Sequence, residues 1–269
     1  TFNQFVMRNL QPQKLWNFFY QITQIPRPSK KEEKILAYLV NFAKSRNLPF
    51  AQDNSGNLLI KKPATVGYES QPTVILQAHV DMVCEKNADS THNFDTDPIE
   101  AYVDGDWVKA KGTTLGADNG VGIAMMLAIL DSDDLKHPAL ECLFTIDEET
   151  GLTGAYGLAK DFLSGSILIN LDSEDDGEVF IGCAGGIGTK AFFDYETEAT
   201  PSGYFGFRVS VSGLSGGHSG GDIHLGRANA NKVLNRYLWQ LNQQMDLRLY
   251  SFEGGNLHNA IPRDATALC

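Results

Sequence analysis

Two amphipathic stretches come early in the chain. In "PQKLWNFFYQITQI" the apolar residues Leu15, Phe18, Phe19 and Ile22 recur at helical spacing, and in "SKKEEKILAYLVNFAKSRN" Ile35, Leu36, Leu39 and Phe42 do the same. Each predicts a helix with one buried face. Ser29 and Glu32 stand at the spacing of a capping box ahead of the second. "NLLIKKP" reads as a strand. Three later runs, "TVILQAH", "LECLFTID" and "SILINLD", are short, continuous and rich in Leu or β-branched residues, as buried strands of a mostly parallel sheet should be. Helical segments lie between them, notably "DNGVGIAMMLAILDS" and "TGAYGLAKDFL". This order predicts an α/β fold, a mostly parallel central sheet flanked by helices.

From about Gly186 the pattern changes. "GTKAFFDYETEA" and "GYFGFRVSVSGL" alternate more, like strands of a sheet with one solvated face. A Gly-rich loop, "SGLSGGHSGGD", leads into "RANANKVLNRYLWQLNQQ", where Val233, Leu234, Tyr237, Leu238 and Leu241 predict one apolar helix face. "LRLYSFEGG" and "ATALC" read as further strands. The chain is therefore expected to divide into a first domain over residues 1–186 and the beginning of a smaller α+β domain over 187–269.

Composition narrows the partners. With 42% hydrophobic and 20% charged residues over 269 positions, the chain can bury a sizeable core. A formal net charge of -11 argues against nucleic acid or an anionic membrane surface and favours metal cations or small substrates. The longest apolar stretch, "VGIAMMLAIL", is about half of the roughly 20 residues that a membrane span needs. Cys84, Cys142, Cys183 and Cys269 form no C-x-x-C pair, and the N-terminus lacks the pattern of a secretory signal, so reduced cysteines in a cytoplasmic protein are expected.

The chemistry collects after the apolar strands. His79 and Asp81 follow the first, Asp147, Glu148 and Glu149 the second, and Asp172 the third. In an open parallel sheet the carboxyl ends of the strands converge on one crevice. His79 and Asp81, two apart in extended backbone, project to one side, which suits a metal-ligating imidazole oriented by a carboxylate, or merely a capped strand end. Asp118, in "GTTLGADNGVG", reads either as a helix N-cap or as a carboxylate shared by two metal ions. Glu148 and Glu149 form either an acidic turn or a ligand beside a general base. Asp172 ends an apolar strand, where an uncompensated carboxylate is costly. Together His79, Asp118, Glu149 and Asp172 suit zinc, manganese or cobalt, with at least one further ligand expected for two ions.

The segments "LQAHVDMVCEKN", "GTTLGADNGVGIAMMLAIL", "LFTIDEETGLTGA", "LINLDSED" and "GGHSGGDIHLGRANA" resemble, in order, those of the aminoacyl-histidine dipeptidases within the M20 metallopeptidase family. The resemblance implies a dipeptide substrate, Xaa-His dipeptides included, two divalent metal ions with zinc foremost, and a possible homodimer. It makes His79 and Asp172 ligands of one ion, Asp118 the bridge and Glu149 a ligand of the other. Asp81 then orients His79, Glu148 is the general base on a metal-bound water, and a cis peptide joins Asp118 to Asn119. The second domain becomes a lid whose His218, or more weakly Asn259, helps to hold substrate and oxyanion. Related deacylases of N-acylated amino acids share this chemistry.

Members of that family continue for about two hundred further residues, through a lid that closes before the chain returns to the first domain with a second histidine ligand. His218, His224 and His258 all fall in the lid portion. The 269 residues are thus expected to be an N-terminal fragment with an incomplete metal site, and a catalytically incomplete metal-binding piece stands as the other reading.

Overall fold

The computed structural model describes residues 7, 9–87, 90–173, 175, 177–183, 185, 187, 189–257 and 259–269. The chain falls into two compact units, residues 1–184 and 185–269. Gly186, where the domain boundary is expected, and His258 lie outside the described residues.

The first unit contains helices α1 (Gln13–Thr23) and α2 (Glu33–Ser45), strands β1 (Phe50–Gln52), β2 (Leu58–Lys62) and β3 (Val74–His79), and a hairpin of β4 (Ala101–Asp104) with β5 (Trp107–Ala110). Helix α3 (Ala117–Leu130), strand β6 (Leu140–Thr145), the single turn α4 (Thr153–Tyr156) and β7 (Ile167–Asn170) complete it. Its five-stranded sheet has the order β1-β2-β6-β3-β7 and is mixed. The three apolar runs pair in parallel, with His79 opposite Thr145 and Gln77 opposite Asn170. At the other edge β2 runs antiparallel to both β6 and β1.

Pleating divides the strand residues between two faces. Leu58, Ile60, Leu76, Ala78, Cys142 and Phe144 pack with Phe19 and Ile22 of α1, Ile35 and Leu39 of α2, and Ile123, Met126 and Leu127 of α3. Leu59, Ile75 and Leu143 face the other way, onto Leu158, Phe162 and Leu163. The apolar character of α3 on nearly all sides follows from its burial against the sheet and α1.

Several expectations are corrected. "TGAYGLAKDFL" forms only the turn α4, not a full helix. Strand β7 is the sheet edge, and Ile167, Leu168 and Ile169 remain about half exposed at 46%, 53% and 46%. The capping box does not form: Glu32 occupies the N-cap of α2 without a side-chain cap, because Ser29 and Glu32 are bonded elsewhere. Among the described residues of 188–199 no strand forms.

The second unit is a three-stranded antiparallel sheet with the order β8-β10-β9, made of β8 (Arg208–Val211), β9 (Ser251–Gly254) and β10 (Ala265–Leu268). Helix α5 (Ala230–Asn242) packs on it through Ala230, Leu234 and Leu238, against Ala265 and Ala267. That stripe is narrower than expected, since Val233 and Tyr237 are exposed. Asn229 caps the helix by accepting from the Lys232 N–H at 3.2 Å.

Candidate metal centre

The carboxyl ends of β3, β6 and β7 deliver their polar residues to one place. His79 is the last residue of β3 and is fully buried. Its Nδ1 lies 3.2 Å from Asp81 Oδ1, and its Nε2 lies 2.8 Å from Asp118 Oδ1 and 3.5 Å from Asp172 Oδ1. One ligand atom each from His79, Asp118 and Asp172 falls within a mutual 4.8 Å, and the same holds for His79, Glu148 and Glu149. Imidazole with surrounding carboxylates is a donor set for zinc or another first-row divalent ion.

Backbone geometry at Asp118 excludes one of the two roles open to it, that of helix cap. Gly116, in the left-handed region at φ 70°, is the N-cap of α3, and no side chain caps the helix there. Asp118 itself is non-helical and is joined to Asn119 by a cis peptide. Its carboxylate meets His79 rather than the helix amides. A Cβ on Gly116 would lie 2.6 Å from Arg27 Nη2 and 2.8 Å from Met82 Sδ, so packing as well as φ calls for glycine.

The acidic run 147–149 separates into three environments. Asp147, buried and at φ 49°, accepts from Thr150 Oγ1 and Thr153 Oγ1, both at 2.5 Å, and so ties the turn together. That structural task is absent from the sequence reading. The N–H groups of Glu148 and Glu149 donate to the two oxygens of Asp81 at 3.1 and 3.2 Å. Asp81 therefore does more than orient His79; it also fixes the backbone from which both glutamates project.

Electrostatics show an excess of negative charge. Burial raises the Glu149 carboxyl to about 7, with Asp118 the next contributor. Burial likewise raises Glu148. Burial alone would lower the His79 pKa, but the hydrogen bonds it donates to Asp118, Asp172 and Asp81 outweigh it and push it up to about 12. Asp118 is lowered chiefly by its bond to His79. A proton on His79 is thus partial compensation for the acids around it, and a divalent cation would offset more of that charge.

Three further residues brace this site: Arg27, which no motif marks, and Ser29 and Glu32, whose spacing suggests a helix cap instead. Ser29 Oγ donates to Asp81 Oδ2 at 2.7 Å, and Glu32 Oε1 accepts the Asp147 N–H at 3.0 Å. Their partners are remote in sequence, so local spacing carried no sign of them.

His218 belongs to the second unit and is exposed. Its Nδ1 accepts from the N–H groups of Gly220 and Gly221 at 3.0 and 2.9 Å, which leaves the proton of a neutral ring on Nε2. Asn259 accepts from the Ser219 N–H through its carbonyl at 2.8 Å. Among the described residues, His79 is the only histidine within a group able to hold a metal ion.

The peptidase dimerisation domain family matches residues 209–269. The cytosol non-specific dipeptidase of Escherichia coli is 50% identical over 261 residues, which cover 97% of this chain and 54% of that protein. The chain belongs to the M20 metallopeptidase family. The crystal structure of the aminoacylhistidine dipeptidase of Vibrio alginolyticus superposes on this M20 chain with a TM-score of 0.67 at 49% identity, covering 97% of this chain and 54% of that one. An aminopeptidase of Bacillus cereus, at 18% identity and a TM-score of 0.55, shares the fold over 96% of this chain and 66% of its own. The M20 chain spans about half the length of the first two relatives, 54% of each.

Proposed function

We propose that the protein of which these residues form part is a dinuclear metal-dependent dipeptidase. The observation that carries this reading is that two groups meet on His79, one with Asp118 and Asp172 and one with Glu148 and Glu149, at the ends of three adjacent strands and the head of α3. His79 and Asp172 would hold one ion, Glu149 the other, and Asp118 both. Zinc is the first candidate, with manganese and cobalt compatible with the same donors. Two bound divalent ions would polarise the scissile carbonyl and bring the pKa of a water toward neutrality.

The chain's own residues supply the rest. His79 ligates through Nε2, provided its Nδ1–H goes to Asp81, which fixes that tautomer. Glu148 accepts the proton of the attacking water and returns it to the leaving amine, so one carboxylate serves as base and then as acid. Its backbone is held on Asp81, and its pKa, raised by burial, moves it toward the range where both transfers are accessible. His218 carries its proton on Nε2, the form needed to donate to an oxyanion.

The relatives lend support to readings of substrate, assembly and location. The Escherichia coli and Vibrio alginolyticus proteins are named as dipeptidases, which supports unblocked dipeptides, Xaa-His included, as substrates. The match of residues 209–269 to a dimerisation domain supports a homodimer, with residues 187–269 contributing to a lid. The Escherichia coli relative is named as cytosolic, which supports a cytoplasmic enzyme; no helix among the described residues is long and apolar enough to cross a membrane.

The test is hydrolysis of alanyl-histidine by the protein extended to the length of its relatives, beside the 269-residue chain, with N-acetylalanine as the alternative substrate. Glu148→Gln is expected to retain the metals and lose at least about 10²-fold in kcat. Near-normal turnover by that variant, or preference for the N-acetyl substrate, would sink the reading.

A further inference from the structure

The segment Arg27 to Glu32, "RPSKKE", touches every ligand-bearing loop of the centre except the one after β7. Arg27 is buried, with 2% of its surface exposed, although no ion pair involves it among the described residues. Its guanidinium donates instead to backbone carbonyls. Nη1 reaches Val80 O at 2.9 Å and Asp81 O at 2.5 Å, and Nη2 bonds Gly116 O. These carbonyls lie just after His79 and just before Asp118. One planar cation therefore ties the end of β3 to the turn that presents Asp118.

Two glycines of "GADNG" make room for it. A Cβ on Gly116 or on Gly120 would lie 2.6 or 2.9 Å from Arg27 Nη2. Two residues on from Arg27, Ser29 Oγ donates to Asp81 Oδ2, the oxygen that also accepts the Glu149 N–H and does not face His79. Glu32 accepts from the N–H of Asp147, at the head of the loop that carries Glu148 and Glu149. The contacts span sequence separations of 52 to 115 residues, so none arises from local chain geometry.

We infer that residues 27–32 form a positioning clamp for the metal centre, with Arg27 setting the distance between His79 and Asp118 and Ser29 setting the orientation of Asp81. This inference rests on the dinuclear reading above. Arg27 is a positioning residue: its hydrogen bonds go to the backbone carbonyls of Val80, Asp81 and Gly116, not to the side chain of a ligand. A fork that reaches three carbonyls from one planar group cannot be reproduced by the point charge of lysine. Partners that orient metal ligands typically account for 10- to 100-fold in metal affinity.

The experiment uses the metal-free protein at its relatives' length. Zinc is titrated calorimetrically into the unaltered protein, Arg27→Lys and Ser29→Ala. Visible absorption of the cobalt-loaded forms reports ligand geometry, and thermal unfolding of the metal-free forms reports stability. Expected are an affinity loss on the order of 10-fold or more for Arg27→Lys, a smaller loss of about 3- to 10-fold for Ser29→Ala, and an altered cobalt spectrum in both. Ser29→Ala, which deletes one hydroxyl, should lower the unfolding midpoint by only a few degrees, still folds, and decides the matter if Arg27→Lys does not fold. Unaltered zinc affinity and cobalt spectrum in the folded variants would overturn the clamp while leaving the metal centre intact. Failure of the unaltered protein to bind zinc would overturn both.

Discussion

Replacing Asp81 by Asn keeps the shape of a fully buried side chain and removes its charge. The carboxylate meets four groups: His79 Nδ1 at 3.2 Å, Ser29 Oγ at 2.7 Å, and the N–H groups of Glu148 and Glu149 at 3.1 and 3.2 Å. All can be donors, and an amide can accept at only one of its two heads. At least one buried donor then faces an NH₂ group, at a cost of about 1–3 kcal/mol. Titration leads to a similar magnitude. Burial works against ionisation of Asp81, but bonds from His79, Ser29 and Glu148 prevail and lower its pKa from 3.8 to about 2. At about 1.4 kcal/mol for each pH unit, that difference is worth roughly 2 kcal/mol in metal-free protein. Because the folded pKa is depressed, the stabilisation is complete above the unfolded value near 3.8 and is lost as pH falls through about 2. Urea unfolding of metal-free protein should therefore place Asp81→Asn roughly 2 kcal/mol below the unaltered protein at pH 7, with the gap closing between pH 4 and pH 2. Zinc affinity should also fall by about 10- to 100-fold, since His79 loses the partner that fixes its tautomer. A variant with unaltered stability and zinc affinity at pH 7 would refute this reasoning.

Metal uptake should release protons: His79, pushed up to about 12, and Glu149, raised to about 7, must both lose a proton to act as ligands. Zinc affinity should thus rise with pH, with the contribution from Glu149 fading above about pH 7; calorimetry in buffers of different ionisation enthalpy counts the protons, and uptake without release contradicts the ligand assignment. Gly116→Ala combines φ 70° with a Cβ 2.6 Å from Arg27 Nη2, so it should destabilise the metal-free protein by about 1–3 kcal/mol in urea unfolding, and a neutral result would mean that the turn can relax.

Much of the first unit is legible in the hydrophobic pattern, and the reasons are local. Leu15, Phe18, Phe19 and Ile22 share a helix face that packs on the sheet, and "TVILQAH" and "LECLFTI" form adjacent parallel strands whose ends hold His79 and the acidic run. Each site residue adjoining an apolar run stands out because charge at a buried strand end needs a partner. Long-range partnership is invisible by the same logic. "PSKKEE" imitates a helix cap, yet Ser29 binds Asp81 and Glu32 binds Asp147. Asp147 looks like one more acid until the folded turn brings it to Thr150 and Thr153. The β4–β5 hairpin did carry a readable sign, the turn pair Gly105-Asp106 between two short runs, with Gly105 at φ 61°. In β7 an apolar run alone could not distinguish a buried central strand from the exposed edge that it forms.

The most direct measurement is anomalous diffraction at the zinc edge from zinc-loaded crystals of the protein at its relatives' length. Two peaks are predicted, one bound by His79 and Asp172, the other by Glu149, with Asp118 between them and Glu148 coordinating neither. Absence of zinc from the ends of β3, β6 and β7, or a single ion that leaves Asp118 unshared, would contradict the dinuclear centre.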